Sequence, residues 1–304
     1  MSVRRAMAAL LATFAILTAA TAQEKYTLKM SRPDKVGDRS RVSKTENMRT
    51  ENKVLDETGQ AVESQSNTQE TSSIYVEKIL QANDQRATKS SRTYEKAVKK
   101  VDGEAKELGL DGKTVICDWT DKKARFAFDD GSKLTDAALD LLHEEFKDRA
   151  ESDDIEKLFL PAEPVAVGES WKCDVKKVVE RMMPSGTADS VDVANAKGSG
   201  TLRKVYKKGA ATFGIIDVTL DLPLVSFGEP GDMVKADPGS KMSIRVTLDA
   251  CIDGSQTSGS MVAKVRADIA GSIEVGGQKV NVKAVVTVDA TETQSPADGM
   301  KNSE

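Results

Sequence analysis

The sequence predicts a mainly β protein of the α+β class: a large curved antiparallel sheet of long strands in two related halves, with one amphipathic helix and a short second helical turn packed on it. Three observations support this prediction. Long runs of alternating apolar and polar residues fill the C-terminal part of the 304-residue chain, which is typical of sheets with one wet face. A glycine turn leading into a strand occurs twice, and a single segment has helical periodicity.

The two glycine turns mark the two halves. Each consists of Val, Gly and an acidic residue, at Val36-Gly37-Asp38 and at Val167-Gly168-Glu169. Alternating side chains follow both motifs, which favours a turn followed by a half-buried strand. The predicted organisation is a signal peptide (1–22), an N-terminal β half (23–132), a helical connection (133–163), a C-terminal β half (164–291) and a disordered tail (292–304).

Residues 1–22 resemble a secretory signal. Arg4 and Arg5 precede the apolar run 6–18, and Ala20 and Ala22 are small residues before a cleavage site at Gln23. We therefore expect export, to the periplasm or the medium, and not an integral membrane protein, because the apolar run is shorter than a spanning helix. An uncleaved anchor is the alternative.

The net charge of the chain limits the classes of partner that it can bind. The chain has 44 Lys and Arg against 48 Asp and Glu, a net charge of −4 with both signs interspersed. Such a balance argues against nucleic acid and against an anionic membrane surface as partners.

A long polar hairpin is predicted in the N-terminal half. Residues 38–98 are rich in Thr, Ser, Asn and Glu and have a turn at 56–60. We expect strands exposed on both faces, with disorder of 44–72 as the alternative because the composition is polar.

Helical periodicity is confined to one region. Apolar residues recur every four positions within 136–149, with Thr135 as the expected N-cap. A short second helical turn is expected at 155–159, before Pro161.

Apolar side chains on the predicted sheet and helix either fill a core or line a cavity. Candidates for this surface are Trp119, Leu142, Phe146, Trp171, Val218, Leu220, Val246, Leu248, Val265 and Val282. A sealed core is the more frequent arrangement for such stripes.

The three cysteines leave one unpaired if a disulfide forms. Cys117 shares a strand face with Trp119 and Cys173 with Trp171, whereas Cys251 falls on a polar face. If the strand that carries Cys117 paired antiparallel with the strand that carries Cys173, the two cysteines would lie opposite each other, which suggests a disulfide. Two buried thiols in separate layers are the alternative, because unbridged cysteine is often buried.

No catalytic or cofactor motif is present. His143 is the only histidine, and the position four residues later is Lys147, so the second ligand of a zinc-protease helix is missing. A Gly-x-Ser-x-Gly elbow and a phosphate-binding loop are absent as well. We expect no enzyme activity, cofactor or metal, and a hydrolase is a remote alternative.

The signal peptide, the turns at 36–38 and 167–169 and the long strands together resemble uncharacterised secreted bacterial β-rich proteins, which are similar to the lipoprotein-carrier type of curved sheet closed on one side by helices. The resemblance implies a concave apolar surface able to hold an acyl chain. It transfers no binding residue.

Two hypotheses on function follow. The first is an exported structural or protein-interaction protein, in which the polar hairpin at 40–72 presents a strand edge to a partner. The second is a carrier for a lipid or another hydrophobic ligand. An open space between sheet and helix favours the carrier, and a filled interior favours the first hypothesis.

Overall fold

A computed structural model describes residues 23–56, 58–83, 86–120, 123–146, 158–182, 188–228, 233–275 and 278–297. The predicted signal peptide, residues 147–149 of the predicted helix, residues 155–157 of the predicted helical turn and the end of the predicted tail lie outside the described residues. Leu158 and Phe159 are helical.

Strands make up most of the described chain. They are, in order, β1 (Lys25–Tyr26), β2 (Arg39–Leu55), β3 (Ala61–Asn83), β4 (Arg86–Val101), β5 (Glu104–Lys106), β6 (Thr114–Asp118), β7 (Arg125–Phe128), β8 (Val165–Ala166), β9 (Ser170–Lys172), β10 (Lys197–Lys208), β11 (Ala211–Pro223), β12 (Ser226–Phe227), β13 (Val234–Lys235), β14 (Lys241–Cys251), β15 (Gly259–Val275) and β16 (Gln278–Pro296). The helices are α1 (Asp136–Phe146) and α2 (Val175–Met182), with a 3-10 turn at Ala188–Ser190.

Twelve strands form one antiparallel sheet, which confirms the predicted fold class. Their order is β7-β6-β4-β3-β2-β16-β15-β14-β11-β10-β9, and β5 pairs with β4. The strands at the two ends of this order, β7 and β9, do not pair with each other in the described chain, so the sheet is open. The last strand, β16, lies at its centre and pairs with β2 from Asn281 opposite Leu55 to Pro296 opposite Ser40, which joins the two halves into a single sheet.

Both predicted glycine turns have the same local structure. Gly37 and Gly168 have φ of 94° and 86°, a conformation that glycine adopts at little cost. In each turn the acidic side chain accepts a hydrogen bond from the backbone N–H three residues earlier: from Lys35 to Asp38 at 3.0 Å and from Ala166 to Glu169 at 2.9 Å.

The predicted helix is present as α1. Thr135 caps it as expected, because its Oγ1 accepts the backbone N–H of Ala138 at 3.2 Å. The helix buries Ala138, Leu141, Leu142 and Phe146 against the N-terminal half of the sheet.

The second helix, α2, was not predicted. The assignment of Trp171 and Cys173 to one strand face implied a strand through residue 173, but β9 ends at Lys172. Asp174 then caps a helix by accepting the backbone N–H of Lys177 at 3.2 Å. Val178 and Val179 are buried by this helix in the core of the C-terminal half.

The structure also decides between order and disorder for residues 44–72 and for the start of the predicted tail. Residues 44–55 belong to β2 and 61–72 to β3, so the alternative of disorder does not hold for them. Ala61 to Thr68 are exposed as predicted, whereas 69–72 and most of 44–55 are partly buried. The tail was predicted to begin at 292, but β16 continues to Pro296, and Ala297 is buried. Polar residues of this stretch pair with polar residues of β2, as in the ion pair of Lys44 with Glu292 at 3.3 Å, so composition alone gave no sign of order. Neither α1 nor α2 is long and apolar enough to cross a membrane.

Candidate functional site

The first three candidate apolar residues fill the N-terminal core. Leu142 and Phe146 of α1 are buried there, and Trp119 packs against the same cluster. The Trp119 and Phe146 ring centroids lie 5.3 Å apart, within the range of favourable aromatic pairs. These residues form a packed core beneath α1.

Most of the remaining candidates belong to the C-terminal core. Val218 and Leu220 are buried in this core, and the partly buried candidates that pack against it are Trp171, Val246, Leu248 and Val265. Gly200 lies under the Trp171 indole so closely that a Cβ at residue 200 would overlap the ring. The indole N–H also donates to the Phe159 carbonyl at 2.7 Å. The sheet and its helical cover are therefore in direct contact here.

Val282 has a different environment from the other candidates. It lies on β16 with Ala284, Val286, Val288 and Ala290 on one face of the strand, all partly exposed. We call these five residues the central strip. None of them belongs to a described core cluster, and β16 packs mainly sideways against β15 and β2. The central strip is thus an apolar sheet face between the two helix-covered ends.

The predicted disulfide is wrong. Cys117 lies in the N-terminal core and Cys173 in the C-terminal core, and no disulfide joins any of the three cysteines. Opposite Cys117 on the neighbouring strands are Ser90 and Phe126 rather than Cys173. The parity argument placed Cys117 on the buried face of β6 but could not determine which strands are neighbours, and Cys173 lies just beyond the end of β9 at Lys172. The alternative of two buried thiols in separate layers holds.

Cys251 was assigned to a polar face and is nevertheless buried. Its side chain is 1 % exposed, in a small cluster with Ala211 and Phe213 on the other face of the sheet. Burial also affects Cys173, whose pKa is raised to about 11 because the thiolate would be desolvated. A raised pKa makes Cys173 a weak nucleophile near neutral pH.

A charged cleft of about 320 Å³ lies where β2, β3 and β16 meet the loop at 256–257. Three ion pairs line it: Arg32 with Asp38 at 2.9 Å, Lys44 with Glu292 at 3.3 Å, and Arg92 with Glu77 at 3.0 Å. Six of the charged side chains that line the cleft thus pair with one another, which is expected of ion pairs that hold strand ends together.

Arg92 is the most deeply buried of these three cations, and no sequence pattern pointed to it. Its guanidinium is 4 % exposed, lies 4.5 Å from the ring centroids of both Tyr75 and Phe146, and donates to Glu77 and Glu145. Burial raises the pKa of Tyr75 well above its usual value, so the ring stays neutral beside the cation. Partners so distant in sequence leave no local pattern by which this network could be found.

Catalytic chemistry gains no support from the arrangement of the described residues. His143 is exposed on α1 with its ring edge against Phe126, 5.2 Å between centroids. Among the described residues no group of three or more His, Cys, Asp or Glu side chains could hold a metal ion.

The polar hairpin has a partly unpaired edge. β3 pairs with β2 along the hairpin, but β4 pairs with β3 only from Gln69 to Asn83. Residues 61–67 therefore have one neighbour in the described chain and one open side, which we call the hairpin edge. The pairing of β3 on its β4 side ends at Thr68. The N–H of Thr68 donates to Asp102 Oδ1 at 2.7 Å, and its carbonyl accepts the Asp102 N–H at 2.8 Å.

Asp102 has a special conformation that allows this contact. It is the non-glycine residue with positive φ among those described (51°), and Gly103 follows at 83°. Paired positive φ values at Asp-Gly are typical of a type I′ turn, here between β4 and β5. The Asp-Gly pair is a strong local signal that the sequence analysis did not use.

No protein family and no curated protein matches this chain. The solved structures that resemble it weakly include the following two. The crystal structure of OpdQ from Pseudomonas aeruginosa has 8 % identity, covers 85 % of this chain and 98 % of its own, and has a TM-score of 0.20. The structure of MucB in complex with MucA(peri) has 10 % identity, coverages of 80 % and 88 %, and a TM-score of 0.09. Scores this low carry no argument, so the chain is defined by its own geometry as an open, twelve-stranded antiparallel β protein.

Proposed function

We propose that this chain is an exported, non-enzymatic protein that binds another polypeptide by strand addition at the hairpin edge. The observation that carries the proposal is the one-sided pairing of residues 61–67 in a sheet whose other long strands are mostly paired on both sides. Open strand edges accept extended segments through backbone hydrogen bonds.

The direction of the backbone groups supports this role. Both backbone groups of Thr68 point away from β2, towards Asp102. N–H and C=O groups alternate sides along a strand, so those of Ser66 and Ser64 also point to the open side. Asp102 ends the β4 ladder and leaves these two residues as donors and acceptors for an added strand.

Filled interiors beneath both helices also favour an interaction role over a carrier. Packed cores occupy the space between α1 or α2 and the sheet. Export is proposed from the signal-like residues 1–22 alone.

The test places a photo-crosslinking residue at Gln65 in protein expressed in its own host. Irradiation should join one polypeptide to this chain. Ser64→Pro with Ser66→Pro should abolish the product, because proline removes the two outward N–H donors while the bonds to β2 stay. The matched control, Ser64→Ala with Ser66→Ala, loses the same hydroxyls but keeps both donors and should crosslink normally. Equal yields from the proline and alanine variants would refute binding at this edge.

A carrier function is the second candidate, and the central strip is the observation that favours it. An apolar strand face beside helix-covered regions can bind an extended acyl chain by hydrophobic contact. Native mass spectrometry of the mature protein from its host, followed by organic extraction, tests it. A stoichiometric hydrophobic adduct that disappears on extraction supports the carrier, and a bare polypeptide mass contradicts it.

A further inference from the structure

A second open edge lies at the opposite end of the sheet. β10 runs to Lys208, but its outer neighbour β9 pairs only with Ser199–Thr201, and the adjoining turn reaches Leu202. No described strand pairs with the outer side of residues 203–208, which we call the basic edge.

Its backbone groups are directed outwards at defined residues. Thr212 of β11 lies opposite Lys207, and both of its backbone groups point away from β10. Its N–H donates to Asp253 at 2.6 Å, and its carbonyl accepts the Ile252 N–H at 2.8 Å. Lys207 and Thr212 are therefore not a hydrogen-bonded pair. By alternation the N–H and C=O of Lys207 and of Val205 point to the open side.

Positive charge is concentrated along this edge. Arg203 pairs with Asp217 at 3.0 Å, whereas the other three cations of the edge, all lysines, form no salt bridge with the described residues. Lys204 and Lys208 lie over the Tyr206 and Phe213 rings, at 5.4 and 5.3 Å, and Lys207 donates to the Thr212 hydroxyl. All three lysines are exposed.

Space for a ligand adjoins the edge. A cleft of about 460 Å³ separates Val205, Tyr206 and Lys207 from the N-terminal residues 24–27. Glu24 and Asp253 also line this cleft together with Lys207, whereas Lys204 and Lys208 lie on the opposite face of β10. The edge thus combines outward backbone groups, lysines without a salt bridge in the described chain and an adjoining cleft.

We propose that the basic edge binds an extended acidic segment of a partner polypeptide as an additional strand. Acidic side chains of such a strand would lie beside Lys204 and Lys208 on one face, and an apolar side chain would contact Val205 on the other, because cross-strand neighbours on one face interact. This inference is independent of the hairpin edge, which has different residues and lies in the other half of the sheet.

Lysines on an edge strand have another known effect, which is to block edge-to-edge aggregation. The two roles give different results with an added peptide, since a purely protective edge binds no strand.

The test uses a labelled eight-residue peptide of alternating Glu and Val, with binding followed by fluorescence anisotropy and by hydrogen exchange. We expect saturable binding that weakens with salt, and slower exchange of the Val205 and Lys207 amides. The same peptide with Lys in place of Glu should not bind, nor should the Glu peptide with alternate backbone nitrogens methylated.

Two variants of the protein separate charge from backbone. Lys204→Glu with Lys208→Glu should weaken binding about tenfold or more, because two exposed attractions become repulsions. Val205→Pro should abolish it by removing an outward N–H that is not part of the β10–β11 ladder.

Controls keep the outcome interpretable. Lys96→Glu with Lys283→Glu makes the same charge change on exposed residues of other strands and should bind as the wild type does. The Ser64→Pro and Ser66→Pro variant should also bind normally, so failure at one edge is distinguished from failure at the other.

Absence of binding to the wild type, or unchanged exchange at Val205 and Lys207, overturns the proposal. Self-association of the lysine variant without peptide binding to the wild type overturns it in favour of a protective role.

Discussion

The Arg92 guanidinium of β4 donates to the Glu145 carboxylate of α1 at 2.5 Å, across the N-terminal core. The same guanidinium donates to Glu77 of β3 at 3.0 Å. One buried cation therefore ties a helix to two strands. Because Arg92 is almost fully buried, each lost carboxylate leaves positive charge poorly compensated.

Glu145→Ala is expected to lower the free energy of unfolding by about 2 kcal/mol, since a charged hydrogen bond to a buried group is lost. Urea unfolding measures this change. The matched control is Glu180→Ala, which removes an exposed pair with Lys176 at 3.8 Å and should cost less than about 0.5 kcal/mol. Similar losses in the two variants would contradict a structural role for Arg92.

Tyr94 presents the opposite case, a buried polar group that no described residue satisfies. The residue is 1 % exposed, and its hydroxyl has no hydrogen-bond partner in the described part of the chain. Tyr94→Phe should leave stability unchanged or raise it by up to about 1 kcal/mol, because an unsatisfied hydroxyl is removed from the core.

The control for Tyr94 is Tyr206→Phe, measured by the same urea unfolding. Tyr206 donates to Asp249 at 2.6 Å, and this bond raises the pKa of Tyr206 to about 12. The variant should lose about 1 kcal/mol. A larger loss for Tyr94→Phe than for Tyr206→Phe would show that the Tyr94 hydroxyl is satisfied in solution.

Gly200 is required by the position of the Trp171 ring. Gly200→Ala should cost about 2 kcal/mol, because the new methyl group overlaps the indole. Removing the indole as well should relieve the overlap, so the double variant with Trp171→Ala should be less destabilised than the sum of the two single variants. Additive losses in urea unfolding would mean that the two residues are not in contact.

Elements with a strong local period were predictable from the sequence. Leu142 and Phe146 identified α1, and the alternation around Val218 and Val246 identified β11 and β14, because each pattern arises within one element. Helix α2 was missed because it is only eight residues long, and Trp171 to Val175 continues the period of the preceding strand.

Features formed by distant residues could not be predicted. Arg92 and Glu145 are 53 positions apart, and the false pairing of Cys117 with Cys173 came from parity without knowledge of strand order. Similarly, an open edge is a property of sheet topology: residues 61–67 have an open side because β4 ends at Val101, which composition does not reveal.

Cysteine reactivity tests the corrected assignment directly. Unfolding the mature protein without reductant should expose three titratable thiols, whereas a disulfide would leave one. In the native state all three should react slowly at pH 8, because each side chain is buried. Fast labelling of any one would show that its core opens.

The raised pKa of Cys173 also predicts how stability depends on pH. The unfolded chain loses this proton near pH 9, whereas the folded chain keeps it until about pH 11. Between these values the unfolded state binds fewer protons, so the contribution of this thiol to stability is complete below pH 9 and is lost as pH rises towards 11. Urea unfolding at pH 8 and pH 10.5 should therefore show a smaller decrease for Cys173→Val, which cannot ionise, than for the wild type. An equal decrease in both proteins would mean that the thiol ionises as easily folded as unfolded, and that the C-terminal core admits water at this position.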